Sequence, residues 1–153
     1  MRTQRGFTLV ELAVVTSIIV TLLGFITISL VNSQQTASLT SVEEVLLADL
    51  KQQQLKAMIG DTEGRADAGQ YGIHFDLNHY VLFHGDYSAS EPSNSVINLD
   101  SNMQFNNPNF NVIFSKLSGT TSATIIKLQD NTNFKFKRIY LNTLGVVTQV
   151  ESL

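Results

Sequence analysis

The sequence predicts an α+β fold in which a long N-terminal helix packs on an antiparallel β-sheet. Residues 12–42 are largely apolar and carry no charged side chain, which favours a long helical segment. In the next part of the chain, apolar side chains recur on one helical face, at Leu39, Val42, Leu46 and Leu50. From Tyr71 onward the pattern changes to short apolar runs separated by turn residues, which is typical of strands.

Residues 12–31 form an apolar run of about 20 residues, a length that crosses a hydrocarbon core of about 30 Å as a helix. Arg2 and Arg5 precede the run, and this basic flank predicts that the N-terminus stays in the cytoplasm. We expect the hydroxyl side chains within the run to bond back to helix carbonyl groups. They belong to Thr16, Ser17, Thr21, Thr27 and Ser29.

A secretory signal peptide and a plain signal anchor are the two alternatives for this segment. A secretory signal has a shorter apolar region of about 7–15 residues, followed by its cleavage site. Here the cleavage-like pair Gly6-Phe7 comes before the apolar run. A signal anchor does not account for Glu11, because a carboxylate deep in the bilayer costs about 2.5–3.5 kcal/mol and has no evident partner in its own chain.

Residues 1–11, MRTQRGFTLVE, resemble the prepilin signal of type IV pilins and type II secretion pseudopilins. The resemblance implies that a prepilin peptidase cleaves after Gly6 and methylates the new N-terminus at Phe7. It also implies that Glu11 is the assembly residue, which pairs with the N-terminal amine of a neighbouring subunit. Such a pair neutralises two groups that are costly in lipid.

The type IV pilin fold that this resemblance implies divides the chain into four parts. They are a leader at residues 1–6, a transmembrane and assembly helix at 7–31, an amphipathic continuation at 32–59 and an antiparallel β domain at 70–153. The expected protein is a structural subunit and not an enzyme. It is a minor pilin or pseudopilin of a type IV pilus or of a type II secretion-like filament.

The same resemblance implies a location and a set of partners. The chain is expected to cross the cytoplasmic (inner) membrane once, with its globular part outside the cytoplasm, before it joins a cell-surface or periplasmic filament. Its implied partners are prepilin peptidase, other pilin subunits, the inner-membrane assembly platform and membrane lipid. The sequence leaves open whether the filament is a pilus, a secretion pseudopilus or a competence filament.

The amphipathic stripe that follows is more consistent with packing on the chain's own sheet than with binding a separate partner helix. Ser41 and Glu44 resemble a capping box, so a break near residues 38–41 is an open alternative. Gly60 is expected to end the helix, and residues 61–69 are expected to form a loop.

The β region is expected to begin with a hairpin at Asp76-Leu77-Asn78 between strands at residues 71–75 and 80–83. Residues 102–111 are rich in Asn and contain Pro108, which predicts irregular structure. The remaining strands are predicted at 96–99, 112–114, 124–128, 134–141 and 146–150.

Several C-terminal features are similar to the GspH/FimT group of minor pseudopilins. They are Ile113-Phe114, Gly119, residues 125–128, residues 139–142 and Gly145. The chain departs from many pilins because it has no Cys for a disulfide and no Pro in the apolar run. It also lacks the acidic cluster of a calcium-binding C-terminal loop.

His74, His79 and His84 are spaced by five residues, which raises the alternative of a metal site. Odd spacing in a strand places successive side chains on opposite faces, although a hairpin can bring some together. Only Asp76 and Asp86 add nearby ligands, so a structural role is favoured and no metal or cofactor is predicted. The sequence has no nucleophile elbow, P-loop or dinucleotide-binding motif.

Basic side chains cluster at Lys127, Lys135, Lys137 and Arg138, and a DNA-binding minor pilin of a DNA-uptake filament is the alternative function. Alternation with Phe134 and Phe136 predicts that the lysines line the solvent face of a strand, which favours a plain solvated surface. The net charge of −3 becomes more negative when Arg2 and Arg5 are cleaved away, so long-range attraction to DNA would be weak.

Overall fold

The structure is a computed structural model that describes residues 8–153, except for the side chains of residues 24–37. Its helix is α1 (Leu9–Ile59). The strands that follow are β1 (Tyr71–Phe75), β2 (His79–His84), β3 (Ser95–Asn98), β4 (Met103–Phe105), β5 (Phe110–Phe114), β6 (Thr124–Asp130), β7 (Lys135–Leu141) and β8 (Val147–Ser152). The predicted α+β class is confirmed. The chain divides into two compact units, Met1–Ser38 and Leu39–Leu153.

The strands form two four-stranded antiparallel sheets rather than the single sheet that was expected. Sheet A has the order β3-β2-β1-β5, and sheet B has the order β4-β6-β7-β8. The hairpin at residues 76–78 is confirmed, because Phe75 pairs with Tyr80 across it.

Residues 102–111 were predicted to be irregular, but they contain β4 and the first residues of β5. Met103 and Phe105 are buried, and this short alternation seats β4 in sheet B beside β6. The Asn-rich stretch then turns toward sheet A, where Asn109 adopts a φ of 65° and donates its N–H to the carbonyl of Phe75 at 2.6 Å. Asn tolerates this left-handed conformation better than most residues do.

Helix α1 has no break at residues 38–41, so the alternative of a second start there is wrong. Its end is as predicted, because Gly60 adopts a φ of 66° after Ile59. The N–H of Gly60 reaches the carbonyl of Ala57 at 3.3 Å, and the N–H of Asp61 reaches that of Lys56 at 3.0 Å. This pair of bonds is a Schellman motif, in which glycine avoids the steric cost of the left-handed residue.

The core of the second unit lies between α1 and the two sheets. The buried helix positions recur at alternating steps of four and three residues, at Leu39, Glu43, Leu46, Leu50, Gln53 and Ala57. Their apolar members join one cluster with strand residues such as Ile73, Phe105 and Ile126. The prediction that the stripe packs on the chain's own strands is therefore confirmed. Each large apolar side chain buried in this way contributes about 1.5–3 kcal/mol.

Polar contacts fix α1 against the strands and loops of the same unit. Tyr80 donates its hydroxyl proton to Oδ2 of Asp49 at 2.6 Å. Gln54 donates from Nε2 to the carbonyl groups of Gly119 at 3.1 Å and Leu144 at 2.7 Å. These contacts set the position of the helix along the sheets, which apolar packing alone specifies less sharply.

Candidate functional site

The first turn of α1 is closed by a reciprocal contact between Thr8 and Glu11. The backbone N–H and the hydroxyl group of Thr8 each donate to Oε2 of Glu11 at 3.1 Å. The backbone N–H of Glu11 donates to Oγ1 of Thr8 at 3.2 Å. This arrangement is a capping box, which satisfies donors that a helix start otherwise leaves unpaired.

Glu11 thus has a partner in its own chain, so the expectation that it has none is wrong. The signal was present in the spacing Thr8-x-x-Glu11, which sequence reasoning applied only to Ser41 and Glu44. Both hydrogen bonds that Thr8 donates are accepted by the same oxygen of Glu11, Oε2. A carboxylate offers about four lone-pair sites on its two oxygens, so this capping contact leaves room for a further donor. The negative charge also suits the N-terminal end of the helix dipole.

The described side chains after Glu11 present an apolar surface on every side of the helix. At 100° per residue, the large apolar residues between positions 9 and 23 occupy the whole circumference. Each is between 49% and 84% exposed: Leu9, Val10, Leu12, Val14, Val15, Ile18, Ile19, Val20, Leu22 and Leu23. A helix that is apolar all round is typical of one covered by lipid or by other helices.

The expected hydroxyl bonds are present at Thr16 and Thr21. Thr16 donates to the carbonyl of Leu12 at 2.9 Å, and Thr21 donates to that of Ser17 at 2.9 Å. Thr27 and Ser29 lie outside the described side chains, as does the rest of the apolar run from residue 24. A helix long and apolar enough to cross a membrane is not found among the residues that the structure describes. Gly6 and Phe7 also lie outside them.

Residues 1–27 match the family model described as the prokaryotic N-terminal methylation motif. The chain carries this motif. The match confirms the predicted type IV pilin-like prepilin signal. Neither a curated protein nor a solved structure matches the chain. The similarity of the C-terminal region to the GspH/FimT group lies beyond the methylation motif and stays a prediction.

Away from the methylation motif, the three histidines divide between the two faces of sheet A. His74 and His79 direct their Nε2 atoms to the same oxygen, Oδ2 of Asp76, at 3.8 and 3.4 Å. His74 also contacts Asn111, with 2.6 Å between Nδ1 and Oδ1. The described part of the chain contains no group of three His, Cys, Asp or Glu residues that could hold a metal ion.

His84 points to the opposite face from His79, as its odd spacing predicts, and stacks on Tyr71 with ring centroids 4.3 Å apart. Burial, and next the charge of Arg65, lower the pKa of His84, so its imidazole is neutral at pH 7. Burial, and next the charge of Glu63, raise the pKa of Tyr71 to about 12. The stacked pair is therefore uncharged under ordinary conditions.

The four basic candidates do not form one solvent-facing surface. In β7, Ile139 and Leu141 are buried, so Lys137 lies on the core side of the strand. Its Nζ atom is 2.7 Å from Oε2 of Glu43, and both side chains are mostly buried. The predicted solvent-facing position of Lys137 is wrong. Phe134 was expected to set the alternation of side chains in this strand. Instead it lies in the turn before β7, with a φ of 54° and 75% of its surface exposed, and the core-facing positions of β7 include Lys137.

The remaining basic candidates are distributed over sheet B. Lys127 is exposed on β6 and pairs in register with Arg138 of β7. Nη1 of Arg138 lies 3.7 Å from Oε2 of Glu151, which reduces the net positive charge at this point. Lys135 begins β7, two residues before Lys137 and on the same side of the strand.

Proposed function

We propose that the chain is a structural subunit of a type IV pilus or of a type II secretion-like filament, as a minor pilin or pseudopilin. The observation that carries the proposal is the methylation motif at residues 1–27. In this proposal prepilin peptidase cleaves after Gly6 and methylates Phe7. The motif supports a pilin-like structural role, and the subunit acts by assembly and not by catalysis.

Before assembly, residues 12–31 anchor the subunit in the cytoplasmic membrane, with the second unit outside the cytoplasm. The exposed apolar surface of α1 between Leu9 and Leu23 supports this step, because both lipid and neighbouring helices can cover it. The subunit then leaves the membrane for the filament through the inner-membrane assembly platform. Neighbouring helices replace lipid, so the apolar surface stays out of water throughout.

In the filament, Glu11 pairs with the N-terminal amine of Phe7 on a neighbouring subunit. The capping box supports this role in a specific way, since Thr8 holds the carboxylate at the first turn of α1. A positioned carboxylate loses less side-chain entropy when it binds an amine. The pair would fix the axial register between otherwise featureless apolar helices.

Intact-mass measurement tests the processing step. The full chain is expressed in cells with and without a prepilin peptidase, and the membrane fraction is analysed. We expect a species that starts at Phe7 and carries one methyl group only when the peptidase is present. A Gly6→Ala variant should stay uncleaved, whereas Thr3→Ala, in the leader, should be processed. A chain that keeps Met1 in the presence of active peptidase would contradict the proposal.

A DNA-binding role gains no support from the placement of the basic residues. Lys137 is held by Glu43, and Arg138 lies close to Glu151. Binding a phosphate through either residue would compete with a carboxylate that is already in place.

A further inference from the structure

A cavity of about 270 Å³ lies in the second unit, beside the C-terminal end of α1. Gln53 and Lys56 of α1 line one side, and Glu63 of the following loop lines another. Tyr71 of β1 and His84 of β2 complete the inner wall, while Ser95 lies at the start of β3. The lining is mostly polar although it adjoins the apolar core.

Two buried polar atoms in this lining have no hydrogen-bond partner within the described chain. They are Oε1 of Gln53 and Nδ1 of His84, in residues that are only 3% and 5% exposed. The nearest carboxylate oxygen to Nδ1 of His84 is Oε2 of Glu63, at 3.7 Å, which is beyond hydrogen-bond distance. An unpaired buried polar group costs about 1–3 kcal/mol, so two beside one cavity require an explanation.

Lys56 and Glu63, the charged residues that line the cavity, are paired with each other. Nζ of Lys56 lies 2.6 Å from Oε1 of Glu63 and 5.6 Å from the centroid of the Tyr71 ring. Arg65 donates to the carbonyl of His84 at 3.2 Å and to the hydroxyl of Ser93 at 2.8 Å. A cationic ligand would be repelled by Lys56 and Arg65, and an anionic one would compete with Glu63.

The two unpaired atoms define the hydrogen bonds that a ligand must make. Oε1 of Gln53 is an acceptor and needs an N–H or O–H donor. Nδ1 of the neutral His84 is a donor in one tautomer and an acceptor in the other. An uncharged group with both an N–H donor and a carbonyl acceptor satisfies both atoms in either case. We propose that this cavity binds a primary carboxamide group.

The carboxamide is that of an Asn or Gln side chain in an extended partner segment. Strand β3 is an edge of sheet A in the described chain, and its first residue, Ser95, lines the cavity. An unpaired edge accepts an added strand through backbone hydrogen bonds, while a neighbouring pocket selects a side chain. A small free amide has the same chemistry, and the experiment must therefore separate the two sources.

The test is a titration of the isotope-labelled full chain in detergent micelles, followed by amide chemical shifts. Acetamide should cause saturable shifts at the cavity residues in the millimolar range, and N,N-dimethylacetamide, which has no N–H donor, should not. A capped tripeptide with a central Gln should bind about tenfold more tightly than acetamide, and the same peptide with a central Met should not bind. Equal affinity for acetamide and the Gln peptide would overturn the peptide source. No saturable shift with either probe would overturn the site.

Gln53→Leu provides a second, independent readout. It should abolish the acetamide shifts without lowering the midpoint of thermal unfolding, because a similarly sized apolar group replaces an amide whose buried oxygen is unpaired. Gln129→Leu, on β6 and away from the cavity, should leave both measurements unchanged. Unchanged acetamide binding by Gln53→Leu would overturn the assignment. The comparison of acetamide with dimethylacetamide on the unaltered chain does not depend on how the variants fold.

Discussion

The Nζ atom of Lys137 lies 2.7 Å from Oε2 of Glu43 and so joins strand β7 to helix α1. The side chains are only 14% and 11% exposed. Oε2 accepts no hydrogen bond of good geometry in the described chain, so charge attraction holds the pair. A charged pair in a mostly apolar helix–sheet interface can fix the register of the helix on the sheet, because any slip leaves both charges unpaired.

Removing one member of this pair should be costly. We expect Lys137→Ala and Glu43→Ala each to lower the free energy of unfolding by about 3 kcal/mol, since each leaves an uncompensated buried charge. The double variant Glu43→Leu/Lys137→Met should recover most of that loss. Lys127→Ala, at an exposed position, should change stability by no more than about 0.5 kcal/mol. Urea denaturation followed by circular dichroism measures all four, and a double variant no more stable than the two single variants would argue against coupling.

Glu11 caps its own helix, and in the proposed function it also pairs with a neighbouring subunit. Glu11→Gln keeps an oxygen that can accept from Thr8 but removes the charge. If charge pairing drives assembly, Glu11→Gln should still be cleaved and inserted, yet its incorporation into filaments should fall at least tenfold, a change worth about 1.4 kcal/mol. Incorporation is measured by immunoblotting of sheared filaments.

Thr8→Ala is the matched control for that experiment. It removes the hydroxyl of the capping box and leaves the carboxylate, at a cost of about 1 kcal/mol to the first helical turn. We expect it to assemble better than Glu11→Gln. Equal incorporation of Glu11→Gln and the unaltered chain would show that the charge is not needed.

Asp130 should make the second unit sensitive to acid. Its carboxyl is fully buried at the turn between β6 and β7. Burial alone raises its pKa, but bonds from Asn133, Thr132 and Asn102 outweigh that effect and hold the pKa below the ordinary value. Because the folded pKa is lower than the unfolded one, the stabilisation is complete above the ordinary Asp pKa and is lost as pH falls through the folded value.

The variant Asp130→Ala tests the predicted direction of this pH dependence. At pH 7 it should lower the free energy of unfolding by about 1–3 kcal/mol, because several turn donors lose their acceptor. The difference from the unaltered chain should shrink as the pH falls below the ordinary Asp value. Urea denaturation across this range measures it, with Asp86→Ala, outside this turn, as the control. A difference that grows on acidification would contradict the assignment.

The hydroxyl of Tyr80 should contribute to the attachment of α1. Burial, and next the hydrogen bond to Asp49, raise its pKa above the ordinary tyrosine value. Tyr80→Phe removes the 2.6 Å bond and leaves the acceptor without its donor, so we expect a loss of about 1–3 kcal/mol. Tyr140→Phe removes a bond of 2.9 Å to Glu151 and should cost less, because the Tyr140 side chain is less buried than that of Tyr80. The midpoints of thermal unfolding of the two variants, compared side by side, check that Tyr80→Phe is the more destabilising change.

Elements with a local signal were predictable. The helix stripe, the helix end at Gly60 and the hairpin at residues 76–78 each follow from periodicity or from turn chemistry within a few residues. The methylation motif is local in the same sense, since it lies within residues 1–27. Glu11 was found for its charge, but its capping contact with Thr8 was missed although the spacing was visible.

The face of the sheet on which each β7 side chain lies was not predictable, because it depends on where the preceding turn ends. Phe134 takes up a left-handed conformation in that turn, so the alternation of side chains begins one residue later than the apolar pattern suggests. The division of the strands into two sheets could not be predicted from the sequence either. Strand order follows from long-range pairing, and no short window of sequence records it.

By itself, the sequence determined the methylation motif, the charge-free segment at residues 12–42 and the alternation of strands and turns, because these depend on short-range spacing. The tertiary structure alone decided what the polar members of the helix stripe do. Glu43 meets Lys137, and Gln53 borders a cavity with an unpaired oxygen. The physical reason is that a buried polar group takes its role from the atoms that strands far along the chain bring to it.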